Sequence, residues 1–140
     1  MSGRPAIVGL PALLLLFGDC SHPRPRAMPR PEPVTPVVGT VAEGIASWYG
    51  PGYHGRRTAS GEVFDQDDLT AAHYNWAFGT RVEVTLFSTG RSVVVRVNDR
   101  FPPFKGRLID LSRGAARRIG LVGPGTGRVR VEVVESPVGS

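Results

Sequence analysis

With 140 residues, the chain has room for one domain with its own core and a short extension, but not for two domains. Lys and Arg outnumber Asp and Glu 17 to 12, a formal charge of +5, yet from Thr40 onward the balance is only 13 to 10. Aromatic and basic residues are not interleaved and no nucleic-acid motif is present, which excludes nucleic acid as the expected partner and leaves a solvated surface. The single cysteine, Cys20, excludes an intramolecular disulfide and a multi-cysteine metal site.

Residues 7–18 (IVGLPALLLLFG) form an apolar run of signal-peptide length, too short to span a bilayer, with Arg4 as a sparse basic flank. The run ends near Cys20 and resembles the processing site of bacterial lipoproteins, although Asp19 stands where such sites carry a small residue. This predicts a signal peptide over 1–19 and a lipidated Cys20 that anchors the chain to a membrane. Ordinary signal cleavage or an uncleaved anchor are the alternatives. Residues 20–39 are proline-rich without apolar period and predict an extended tether. His22, within it, is assigned no role.

The folded domain is expected over 40–136, with a short tail at 137–140. Residues 41–48 predict a strand interrupted by Gly44. The loop Tyr49-Gly50-Pro51-Gly52-Tyr53-His54-Gly55 then offers flat aromatic faces, fit for stacking on sugar rings or for covering a core. Residues 56–64 continue as a loop with a turn at Ser60-Gly61, followed by Glu62. A short apolar stretch runs from Leu69 to His73. Residues 81–87 alternate, and Thr89-Gly90 joins them as a hairpin to the next strand. That strand places Val93, Val95 and Val97 on one face and ends at Asn98-Asp99-Arg100, with Pro102 and Pro103 stopping the pairing. By simple alternation Asp99 falls in step with the inward valines, at the rim of the interior. A second apolar run, Leu108-Ile109-Asp110-Leu111, follows. Ser112 caps a helix at 113–119 that Gly120 stops, and residues 128–134 alternate again with Val129, Val131 and Val133 inward. Six or so short strands and one helix predict an all-β sandwich or small closed barrel, and closure better hides the edges of a domain this small.

Asp99, between an apolar interior and an open loop, is a candidate for proton transfer; on local sequence alone it reads more readily as a turn aspartate, or as an ion-pair partner of Arg100 or Arg107. Glu62 alone reads as a solvated loop residue. His73 reads as a satisfied core histidine or as a site residue. Tyr49, Tyr53 and Trp48 are stacking candidates, Trp48 reading better as buried and Tyr53 as exposed. Asp110 reads as structural, His54 is left unassigned, and no ligand spacing supports a metal site from His54, His73 and Asp99.

The segments GIASWYG (44–50), HGRRTASGE (54–62), TAAH (70–73), FGTRVEV (78–84), VVRVNDR (94–100), GRLIDLS (106–112) and GRVRVEV (127–133) resemble, in order, the rare lipoprotein A family. The resemblance covers nearly all of 44–134. It implies a six-stranded double-psi β-barrel, export to the envelope, and lytic transglycosylase action on peptidoglycan glycan poor in stem peptides, in cell separation, with no cofactor. It implies Asp99 as principal acid/base, Glu62 as its partner by orienting substrate or by like-charge repulsion, and His73 as a supporting residue. Tyr49 and Tyr53 would then stack on sugars, and Arg100 and Arg107 would bind the muramyl lactyl carboxylate. Cell-division proteins are further expected partners. Phe101 stands where the family carries glycine, so it narrows the groove beside Asp99 or adds a stacking platform. The competing expectations are a non-catalytic glycan-binding or septum-organising lipoprotein, favoured by Phe101, and an ordinary glycan hydrolase using water.

Overall fold

The computed structural model describes residues 31–103 and 106–137, together with Ser2, Gly3 and Gly9. The expected signal peptide, Cys20 and most of the tether lie outside the described residues. Six strands, β1 (Val41–Trp48), β2 (Thr70–His73), β3 (Arg81–Leu86), β4 (Ser92–Asp99), β5 (Arg107–Leu111) and β6 (Thr126–Glu135), close into a barrel in the order β1-β5-β2-β4-β3-β6. Two pairs, β1 with β5 and β2 with β4, are parallel, and the other four are antiparallel. These two interlocked parallel crossings make it a double-psi barrel, the expected fold. Among the expected pieces, the β3–β4 hairpin is present, with Val82 opposite Val95 and Val84 opposite Val93.

The alternating sequences fill the interior. Val82, Val84 and Leu86 of β3 meet Val93, Val95 and Val97 of β4 and Val129, Val131 and Val133 of β6, all buried. Each such side chain contributes roughly 1.5–3 kcal/mol by leaving water. Helix α1 (Arg113–Ile119) packs Ala115, Ala116 and Ile119 against this core. The Ser112 hydroxyl accepts the Ala115 N–H at its start, and Gly120 ends it in the left-handed region at φ 82°.

Two expectations are corrected. Gly44 does not interrupt β1; the strand runs through it because a Cβ there would stand 2.9 Å from Leu108 Cβ and 3.3 Å from the Gly106 carbonyl, so glycine lets β5 approach. Part of the expected tether also lies on the barrel. The Val34 N–H donates to the Asn75 carbonyl at 2.7 Å and the Val34 carbonyl accepts from Ala77 N–H at 2.8 Å, forming a one-residue bridge. The Ser136 hydroxyl donates to the Pro36 carbonyl. Prolines leave few N–H groups free in this segment, and Val34 supplies one where the β2–β3 turn has a carbonyl to receive it.

Candidate active cleft

Strand β2 lies between β4 and β5, and Ala72, like Ala71 before it, has a partner on each. It pairs with Asp99 on one side and with Asp110 on the other. Adjacent strands stand about 4.8 Å apart, so the two aspartates flank Ala72 with Cα atoms about 10 Å apart. Residues paired across a ladder share a face, so Ala72, Asp99 and Asp110 all point away from the side that buries Ala71, Val97 and Leu111. Asp99 is therefore not in step with the inward valines. The β2–β4 register shifts by one residue, from Ala71 opposite Val97 to Ala72 opposite Asp99, so Asn98 is the extra residue of a bulge. One extra residue reverses the facing of everything after it. Asn98 itself is buried beneath the 58–62 loop.

An open cleft of about 200 Å³ lies here, walled by Tyr49, Tyr53, Asp99, Arg100, Phe101, Pro102 and Asp110, with Ala72 also in its lining. A larger hollow of about 390 Å³ lies between the Asp67–Leu69 turn and Gly114, Arg117 and Arg118 of α1. It holds one carboxylate facing two guanidinium groups and no paired acids or aromatic faces, so the smaller cleft is the better site for bond-breaking chemistry.

Each wall residue has a defined role. Asp99 Oδ1 accepts the N–H groups of Ala59, at 2.9 Å, and Arg100, at 2.8 Å. Among the described residues, Oδ2 receives no hydrogen bond. Asp110 Oδ1 accepts the Ser47 hydroxyl at 2.8 Å. Burial raises the Asp110 pKa, the Ser47 bond and the Arg107 charge pull it back, and the Asp99 charge raises it again. The Tyr49 ring stacks on Phe64 with centroids 4.5 Å apart and meets Tyr53 edge-on at 5.7 Å. Its hydroxyl is buried without a hydrogen bond of ordinary geometry, as is that of neighbouring Thr70. Burial, then the charges of Asp99 and Asp110, hold the Tyr49 pKa well above the ordinary phenol value. Tyr53 is exposed, as expected, and Trp48 is partly buried against the core. The Arg100 guanidinium lies 4.0 Å from the centroid of Phe78.

Glu62 does not line the cleft. Its Oε1 accepts Arg96 at 2.6 Å and its Oε2 accepts Asn98 Nδ2 at 2.9 Å. These bonds, the Arg96 one first, hold its carboxyl below the ordinary glutamate pKa. Glu62 thereby pins the loop whose Ala59 N–H reaches Asp99. The Thr58 N–H donates to the Glu62 carbonyl at 2.7 Å, and the Ser60 N–H to the Asn98 carbonyl at 3.2 Å. His73 is buried beside the cleft rather than in its wall. Its Nδ1 accepts the N–H groups of Asn75 and Trp76, at 3.2 and 3.0 Å, and its ring stacks on Trp76 at 4.0 Å. Burial, with the Arg100 charge, brings its pKa down to about 4, so the ring is neutral with the proton on Nε2. His54 Nδ1 is likewise engaged, by the Gln66 N–H. Arg107 sits on β5 close enough to act on Asp110. The structure thus gathers Tyr49, Tyr53, Asp99 and Arg100 in one cleft, keeps Glu62 and His73 at its back, and adds Asp110. The signal for Asp110 was a lone acid between Ile109 and Leu111, both buried, on a strand whose partners the sequence does not name.

Fold and cleft together define a double-psi β-barrel carrying a paired-carboxyl site. The chain belongs to the lytic transglycolase family, whose model matches residues 41–132. It is 58% identical over 99 residues to a probable endolytic peptidoglycan transglycosylase RlpA of Synechocystis sp., covering 71% of this chain and 31% of that protein. It is 50% identical over 102 residues to the endolytic peptidoglycan transglycosylase RlpA of Campylobacter jejuni, covering 73% of this chain and 37% of that one. The chain thus spans about a third of the length of these relatives. Among solved structures it resembles an expansin of Clavibacter michiganensis (TM-score 0.55, 25% identity, 71% of this chain and 53% of that one). It also shares the fold of a Streptomyces papain inhibitor (TM-score 0.57, 23% identity, 70% and 97%).

Proposed function

We propose that this protein is an endolytic peptidoglycan transglycosylase of the bacterial envelope, cutting the MurNAc-β-1,4-GlcNAc bond to leave 1,6-anhydroMurNAc ends. The observation that carries the reading is Asp99: a carboxyl in the cleft wall, fixed by two amides on one oxygen, in a chain of the lytic transglycolase family. Lytic cleavage needs a proton delivered to the glycosidic oxygen and a base for the C6 hydroxyl as it attacks C1. Asp99 is the principal acid/base of this scheme. Tyr53 and the exposed side of Tyr49 stack on the sugar faces, and Arg100 and Arg107 attract the lactyl carboxylate. Glu62 and His73 act as positioning residues, Glu62 through the Ala59 N–H. Stem-peptide-poor glycan is the preferred substrate and cell separation the setting, alongside division proteins. Cys20, lipidated, holds the barrel at the membrane while the tether lets it reach the wall.

The test is digestion of stem-peptide-free peptidoglycan by the purified protein, read by mass spectrometry. Anhydro ends support the reading, and reducing ends instead mean a hydrolase. Asp99→Asn is expected to abolish anhydro products with an unchanged fold by circular dichroism; retained turnover overturns the assignment. A second reading, glycan binding without cleavage, is favoured by Phe101, whose side chain helps wall a small cleft. It predicts co-sedimentation with the polymer and no products.

A further inference from the structure

We infer that the two tasks of the reaction are split between two carboxyls, with Asp110 the proton donor to the glycosidic oxygen and Asp99 the base. This rests on the reading above and assigns a residue to its first step. Asp99 and Asp110 are the two flanks of a single rung whose middle residue, Ala72, carries only a methyl group, and both open on the same cleft. The two sit differently. Asp99 is bound by backbone amides on one oxygen, at the end of β4. Asp110 lies within β5 and accepts from a hydroxyl, Ser47, which tolerates either protonation state of its partner. The groups facing Asp110 are Ser47 from β1, Tyr49 just beyond β1, Arg107 from its own strand and Asp99 from β4. Two carboxyls sharing a site resist ionising together, and burial raises the pKa of Asp110, which therefore holds the proton.

The step balances. The C1–O4 bond breaks as the Asp110 proton passes to O4 of the leaving GlcNAc. The C6 oxygen bonds to C1 and its proton passes to Asp99. Transfer of that proton from Asp99 back to Asp110 through water in the cleft resets the pair.

The experiment compares stem-peptide-free glycan with a muramyl 2,4-dinitrophenyl glycoside, whose leaving group needs no proton, using the full chain. Asp110→Asn is expected to lose about 10²–10⁴-fold on glycan yet stay within about tenfold of wild type on the activated glycoside. Asp99→Asn is expected to lose activity on both. Ser47→Ala removes a bond that lowers the Asp110 pKa, so the alkaline limb of kcat/KM moves to higher pH, which a merely structural role would not produce. Asp110→Asn cleaving glycan at near wild-type rate, or failing equally on both substrates while folded, overturns the inference and leaves Asp99 as sole acid/base. A wild-type chain that acts on neither substrate overturns the transglycosylase reading itself, and the inference with it.

Discussion

Glu62 carries a charge that is spent outside the cleft. Arg96 and Asn98 take both of its oxygens, and what reaches Asp99 is the loop they hold. With its side chain 43% exposed, the ion pair contributes about 1 kcal/mol or less to stability. Its larger effect is on the placement of one amide. Glu62→Gln keeps a carbonyl acceptor and is expected to retain kcat within about tenfold, whereas Glu62→Ala frees the loop and loses more. A proton-transferring Glu62 would be disabled equally by both changes, so steady-state kinetics on glycan separates the two roles. Motif resemblance picked out Glu62, His73 and Asp99, but not how they are arranged. Their separations, 11 and 26 residues along the chain, carry no distance in space.

At the scale of elements, the bulge at Asn98 decides which side of the barrel receives Asp99. Without Asn98, Asp99 follows Val97 directly and still stands opposite Ala72, but Glu62 and the Ser60 N–H lose their Asn98 partners. This deletion is therefore expected to lower cleavage by freeing the loop that carries the Ala59 N–H, and to cost about 1–3 kcal/mol from the polar groups left unpaired. Urea unfolding and product analysis check it together. Gly114 gives a contrasting case on α1. A Cβ there would meet the Asp67 carbonyl at 2.5 Å, and the Gly114 N–H bonds to the Gln66 carbonyl at 2.8 Å. Gly114→Ala is therefore expected to lower the urea midpoint by an amount worth about 1–3 kcal/mol, leaving kcat little changed because the cleft lies elsewhere.

Over the whole molecule, closure of the barrel buries His73, and this gives stability a pH dependence of definite sign. Its folded pKa of about 4 lies below the unfolded value of 6.5, so below 6.5 the unfolded chain binds the proton more readily. Stability contributed by the neutral ring is full above pH 6.5 and falls as pH drops toward 4, by up to about 3 kcal/mol. His73→Gln does not titrate there, so the loss between pH 7 and 4 in urea unfolding is expected to be smaller by about that amount. Asp110, with its pKa raised on folding, acts in the opposite sense, gaining stability as pH falls through its folded pKa. The comparison between wild type and His73→Gln removes that contribution.

The strands, the helix with its Ser112 and Gly120 boundaries, and the valine interior were all legible in the sequence. Period-two alternation, caps and turn glycines act over a few residues, and the ordered motifs added the barrel type. What remained illegible was everything that depends on which strand lies beside which. A parallel crossing brings Ala72 between residues 99 and 110, a one-residue bulge reverses one of them, and a loop 36 residues upstream is pinned to Asn98 by Glu62. Local sequence sets the facing of a side chain only until a ladder slips. Only the closed barrel, by fixing the pairing of β2 with both its neighbours, put two carboxyls on one cleft.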